Sequence, residues 1–216
     1  MRNQNQPIAV EGYPFIALFA FVTLFFGVME WYCLTTMALG LTAFTVYFFR
    51  NPDRFAPENE KAIVAPADGK VIFVGKVAEE RYFEGKEVTK VSIFMNVFNV
   101  HVNRAPVDGK VVGQFYNRGR FFNASLDKAC MENEQAGMLI ETTDGAHKLL
   151  CIQIAGLVAR RIVTYPVIGD LLERGCRYGL IRFGSRVDLY FPEEIEVAVS
   201  LGENTTAGET IMGYLP

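Results

Sequence analysis

The sequence predicts a mainly β protein, an antiparallel sandwich or barrel-like hybrid, carried behind an N-terminal membrane helical hairpin. Three observations lead there. From Phe15 to Phe49 the chain runs for 35 residues with one charged side chain, Glu30. After Pro52 the pattern changes to short runs of β-branched and apolar residues separated by glycine-bearing turns. One seven-residue unit, Ala65-Pro66-Ala67-Asp68-Gly69-Lys70-Val71, returns 40 residues later as Ala105-Pro106-Val107-Asp108-Gly109-Lys110-Val111.

The apolar run is too long for one span. As a single helix it would measure about 52 Å, against a bilayer core of roughly 30 Å. Glu30, flanked by Trp31 and Tyr32, marks a break, because a carboxylate is expensive at mid-bilayer and aromatic amphiphiles favour the interface. The expectation is two helices, Gly12 to Met29 and Trp31 to Phe49, which either cross a locally thinned bilayer or dip into one leaflet. The run is long for a secretory signal and lacks a small-residue cleavage site at its first end. Arg50, Arg54 and Lys61 follow the second arm, which places the C-terminal part on the cytoplasmic side.

Pro52 and Pro57 keep the next ten or so residues extended. Strands are then expected at Lys70–Val77, Glu87–Asn96, Lys110–Phe115, Met138–Thr143, Lys148–Ile154, Arg186–Phe191 and Ile195–Ser200. Each copy of the repeated unit reads as a proline-containing approach, an Asp-Gly turn and the start of a strand. Leu201 to Gly213 has the same look. These units resemble the hammerhead strands of biotinyl and lipoyl carrier domains, which is a clue to fold alone. Helical signals are weak: Phe121 to Gln135 reads as a long polar loop or broken helix, and Asp170 to Gly175 as one or two helical turns.

Composition excludes several functions. A net charge of −3, with no Lys/Arg-rich run, leaves a nucleic-acid role without support. The four cysteines are far apart with no C-x-x-C pair, and two histidines make no metal-ligating motif, so no metal site is expected. Reduced thiols in the cytoplasm follow.

Leu180 to Pro192 centres on Gly184-Ser185, a dipeptide that in isolation is ordinary turn chemistry. Its neighbours in sequence change that reading. Phe49-Arg50-Asn51-Pro52, Ala65-Pro66-Ala67-Asp68-Gly69, Phe98-Asn99-Val100-His101-Val102-Asn103-Arg104-Ala105-Pro106, Asn133-Glu134, Ala159-Arg160-Arg161-Ile162 and Phe183-Gly184-Ser185 occur in that order. The set resembles the short proenzyme-type phosphatidylserine decarboxylases over roughly Phe48 to Pro216.

The resemblance implies a membrane-anchored lyase that converts phosphatidylserine to phosphatidylethanolamine. Residues 1–50 would be its anchoring hairpin and 51–216 its catalytic domain. It implies self-cleavage between Gly184 and Ser185, with Ser185 converted to a covalent pyruvoyl cofactor that withdraws electrons during decarboxylation. The active form would then be a heterodimer of its own two chains, possible homo-oligomers included, since a small sandwich leaves edge strands to cover. His101 is the candidate acid–base residue, with Asp68 its partner or the base for processing, and Asp108 mainly structural. In longer relatives the motif is H-x-x-H-x-P; here Arg104 stands at the second histidine, a poor base but a good anion clamp. Arg104, Arg118, Arg120, Arg160 and Arg161 are candidates for the lipid phosphate and carboxylate. His147 reads as a surface residue. The rival readings are an archaetidylserine decarboxylase and a non-catalytic, membrane-anchored carrier-like domain.

Overall fold

The computed structural model describes residues 6–119, 133–156, 161–182 and 184–216. Its chain divides into two compact units, one ending at Asp53 and one running from Arg54 to Pro216.

The first unit is the hairpin. Helix α1 spans Tyr13–Val28 and α2 spans Tyr32–Phe48, each one residue shorter at both ends than expected. The break falls where the sequence puts it: Glu30 adopts φ 59°, a left-handed conformation that no helix continues through. Inside the hairpin, the Thr23 and Thr42 hydroxyls meet at 3.0 Å while each also bonds a carbonyl one turn back in its own helix. The ends are pinned where Ile8 bridges Arg50, and Gly12 leaves room for the Phe49 ring, which a Cβ would meet at 2.5 Å. No residue of α1 is buried, and Phe21, Leu24 and Val28 are each about two-thirds exposed. A helix that is apolar on every side has no place in water. With its preceding turn, Val10–Val28 is long and apolar enough to cross a membrane.

The second unit holds thirteen strands among the described residues, all paired antiparallel. They are β1 Ala62–Val64, β2 Gly69–Glu79, β3 Lys86–Met95, β4 Val102–Arg104, β5 Gly109–Asn117, β6 Gln135–Thr142, β7 Lys148–Ala155, β8 Ile162–Thr164, β9 Leu171–Leu172, β10 Arg177–Ile181, β11 Ser185–Phe191, β12 Asn204–Thr205 and β13 Ile211–Tyr214. Eight form a curled half-barrel in the order β12-β2-β3-β11-β7-β6-β5-β9; β4-β10-β8 and β1-β13 make two smaller sheets.

That order reads as two mirrored halves, β12-β2-β3-β11 and β9-β5-β6-β7, and the repeated sequence unit is its cause. Gly69 and Gly109 start β2 and β5, and at each a Cβ would stand 2.2 Å from a carbonyl oxygen of the next strand, Phe94 or Glu141. Only glycine allows that approach. The halves also cross-bond, Val64 N–H to the Pro106 carbonyl and Arg104 N–H to the Pro66 carbonyl, both at 2.9 Å. The core lies between the sheets, where Val71, Val91, Ile93, Met138, Ile140, Leu149, Val187, Leu189 and Phe191 meet Ile63, Ala65 and Met212. A smaller apolar cluster, including Leu139, Leu150 and Ile154, forms separately.

Two expectations are corrected. Asp170–Gly175 is not helical: Gly169 sits at φ 102° and Leu171–Leu172 pair with β5 as the edge strand β9, the counterpart of β12 on β2. Ile195–Ser200 alternates like a strand but forms no ladder, only an isolated bridge from Val197 to Gly213 beside the Ala198 N–H to Met212 carbonyl bond.

Candidate active site

Ser185 opens β11, the strand at the middle of the large sheet. It pairs with Met95 at the end of β3 and with Ala155 at the end of β7. In the other half, the equivalent strands β6 and β7 are joined by a tight turn through Asp144-Gly145, tied by Thr142 N–H to the His147 carbonyl at 2.9 Å. β3 and β11 have no such local turn; they are neighbours in space and about 90 residues apart in sequence. The chain therefore reaches β11 from β10, through Gly184. Because residue 185 is held by ladders on both sides, a break before it leaves both of those pairings in place.

Gly184 has φ 61°, in the left-handed region that favours glycine, and no described residue stands within 4 Å of where a Cβ would point. The requirement there is conformational rather than steric. Ser185 is completely buried, and its Oγ–H donates to the Met95 thioether at 3.4 Å. Sulfur is a weak acceptor, so the hydroxyl is oriented without being deprotonated.

His101 lies just before β4 and is buried. Its carbonyl accepts Ile181 N–H at 3.3 Å, four residues ahead of Ser185. Its Nδ1 lies 3.0 Å from the Asn99 carbonyl. A carbonyl can only accept, so Nδ1 carries the proton and Nε2 is the basic nitrogen of the neutral ring. The turn that presents it is rigid: Asn96 N–H donates to the Asn99 side chain at 2.9 Å and Phe98 N–H to the Asn96 side chain at 2.8 Å.

Asp68 and Arg104 belong to the other end of β4. Asp68 accepts Ala207 N–H at 2.8 Å and the Arg54 guanidinium at 3.1 Å. Arg104 donates to the Gly175 carbonyl at 2.7 Å and is paired in register with Arg177. Burial, and then the neighbouring charges of Arg177 and Arg54, lower the Arg104 pKa to about 10, so it remains a cation at neutral pH. Asp68 thus meets Arg54 and lies near Arg104, which in turn stands beside Arg177, a polar cluster separated from His101 by the length of β4. Arg118 and Arg161 are exposed, and the Arg161 carbonyl accepts Arg182 N–H at 3.3 Å. Arg120 and Arg160, together with 121–132 of the expected polar loop, lie outside the described residues.

Three residues linked to Ser185 carry no role in the sequence reading: Met95, which accepts its hydroxyl, and Asn103 and Gln153, which lead on from that sulfur. Asn103 sits inside the quoted His101-containing motif, but nothing local marks which way its side chain turns. Arg177 was equally silent, since only the β4–β10 register brings it to Arg104.

Fold and site together define a class: an internally duplicated β unit whose central strand starts at a Gly-Ser junction with the serine buried, following an apolar hairpin in sequence. The model of the phosphatidylserine decarboxylase family matches residues 41–213. The chain is 62% identical to the phosphatidylserine decarboxylase proenzyme of Syntrophotalea carbinolica, 55% to that of Geobacter sulfurreducens and 53% to that of Geotalea uraniireducens, each over the full length of both chains. The chain belongs to the phosphatidylserine decarboxylase family, a family of carboxy-lyases.

Proposed function

We propose that the chain cleaves itself between Gly184 and Ser185 and then converts phosphatidylserine to phosphatidylethanolamine through a pyruvoyl group made from Ser185. The observation that carries this is the position of Ser185: fully buried, first in the central strand, and preceded by a glycine in a left-handed conformation. The residues fit the group, because position 185 is enclosed and anchored on both sides without depending on the bond to Gly184. The group would supply an electron-withdrawing carbonyl, and the chain would supply everything else.

In this reading His101 exchanges a proton at Nε2, with the Asn99 carbonyl holding its ring and tautomer. Asp68, already engaged by Arg54 and Ala207, acts through charge on the Arg54–Arg104–Arg177 cluster or as the base for processing. Arg104, Arg118 and Arg161 are the described members of the set proposed for the lipid phosphate and carboxylate; Arg120 and Arg160 complete it. The apolar hairpin, residues 1–50, anchors the catalytic unit, residues 51–216, on the cytoplasmic face of the membrane, as the basic residues after α2 favour.

Mass spectrometry of the purified protein tests this. The expected result is two fragments, Met1–Gly184 and a 32-residue Ser185–Pro216 piece whose first residue lacks an amine. A single full-length chain under conditions that support lipid turnover would overturn it.

A further inference from the structure

The inner face of the large sheet is apolar at Val187, Leu189 and Phe191, but beside Ser185 a run of polar side chains is drawn in and joined to the serine through the Met95 thioether. Thr164 Oγ1 donates to Gln153 Oε1 at 2.7 Å. Gln153 Nε2 donates to Asn103 Oδ1 at 2.8 Å. Asn103 Nδ2 then reaches the Met95 sulfur at 3.7 Å, the same sulfur that accepts the Ser185 hydroxyl. Met95, Asn103, Gln153 and Ser185 are each no more than 1% exposed. They come from four strands in two sheets, β3, β4, β7 and β11, with Thr164 from a fifth, β8.

This chain runs one way in the structure: with the Thr164 hydroxyl donating to Gln153 Oε1, Gln153 Nε2 faces Asn103 and meets its oxygen. Asn103 is therefore turned with its N–H, and not its carbonyl, toward the Met95 sulfur. Gly179 keeps the arrangement compact, since a Cβ there would come within 3.2 Å of Gln153 Nε2 and 2.2 Å of the Val163 carbonyl. Desolvating three polar side chains in a core is tolerated only when they bond one another, and replacing them with apolar residues would be the simpler way to fill this space.

We infer that Asn103 and Gln153 are positioning residues for self-cleavage, acting through Met95 to hold the Ser185 oxygen ready to attack Gly184. The inference rests on the self-cleavage reading above. By keeping the Asn103 carbonyl away, the chain leaves the Ser185 proton on a thioether, which releases it readily to a stronger base. In the step concerned, Oγ adds to the Gly184 carbonyl carbon, the Gly184–Ser185 C–N bond breaks, and the Oγ proton ends on the freed Ser185 nitrogen, giving an ester. A serine locked onto an amide oxygen, or free to rotate, reaches that geometry less often.

The test follows newly made full-length protein by gel and mass, with hydroxylamine added to release any ester as a measure of the first step alone. Met95→Leu keeps the shape and removes the sulfur; Asn103→Leu removes the donor. Each is expected to slow ester formation about tenfold, and the double variant no more than the slower single one, because both act on the same link. Gln153→Glu replaces the Nε2 donor with oxygen, so that Asn103 turns its N–H to the carboxylate and its carbonyl to the Met95 sulfur. It is expected to slow the step and to change its dependence on pH, with Gln153→Asn less affected than Gln153→Leu. Thermal unfolding of the same variants on a Ser185→Ala background separates folding from positioning, since a merely structural role would lower the melting temperature and leave the pH profile alone. Ester formation at the wild-type rate in Met95→Leu and Asn103→Leu, or independent effects that multiply, would overturn the inference. A wild-type chain that forms no ester would instead overturn the self-cleavage reading.

Discussion

Asp68 and Asp108 do the same structural work in the two halves of the β unit. Asp68 accepts the backbone N–H of Ala207 and Asp108 that of Arg174, both at 2.8 Å, fastening each repeated turn to the loop beside it. They differ in what else they meet, because Asp68 also pairs with Arg54 and lies near Arg104.

That difference yields a paired prediction. Asparagine at either position can still accept the backbone N–H, so the substitution removes charge and little else. Asp108→Asn is expected to process at close to the wild-type rate. Asp68→Asn, which leaves Arg54 and Arg104 without the carboxylate beside them, is expected to process at least tenfold more slowly. Time courses of the 32-residue fragment decide it, and equal rates would make Asp68 as structural as its counterpart.

The strand that begins with Ser185 carries a buried ion pair. Arg186 clasps Asp188 through two bonds, 2.6 and 2.7 Å long, with both side chains essentially inaccessible. Breaking such a pair from one side is far worse than replacing both members. Asp188→Asn is expected to lower stability by about 3 kcal/mol, and the double change Arg186→Met with Asp188→Leu by less. Urea unfolding on the uncut Ser185→Ala chain measures both.

The duplicated glycines give a third prediction. At Gly69 and Gly109 the obstacle to a side chain is a backbone carbonyl of the adjacent strand, which cannot rotate away. Alanine at either place is expected to destabilise the unit by about 2–3 kcal/mol, as overpacking does. The two effects should add, because the sites lie in different halves. Gly145, with nothing within 4 Å of a Cβ but φ 71°, is expected to lose less on substitution by asparagine, which tolerates that conformation.

Much of this architecture is legible in the chain. The 40-residue echo and the alternation of Val187, Leu189 and Phe191 announce a duplicated β unit, and Glu30 announces the hairpin's break. What escapes is whatever depends on long-range register. Strands of two to five residues such as β4, β8, β9, β10 and β12 are too short to show a period of two. The same reason hides the site's support: Asn103 and Gln153 are 50 residues apart and meet only because two sheets face each other. The Gly184-Ser185 junction was readable through its companion motifs, whereas the thioether that holds its hydroxyl was not.

Cys151 offers a prediction about pH. Its thiol lies in the core, 3.1 Å from the Tyr178 hydroxyl, and burial pushes its pKa up from 9.0 to about 12. The folded state therefore holds this proton more tightly than the unfolded state. The stability this contributes is fully present below pH 9 and is lost as pH rises toward 12. At pH 8.5 an unfolded cysteine is partly thiolate and reacts with iodoacetamide, whereas Cys151 in the folded chain stays a neutral, inaccessible thiol. Peptide mapping is expected to find Cys151 unlabelled in native protein and labelled in urea. Labelling at comparable rates in both would show that the core around β7 and β10 opens far more often than its packing implies.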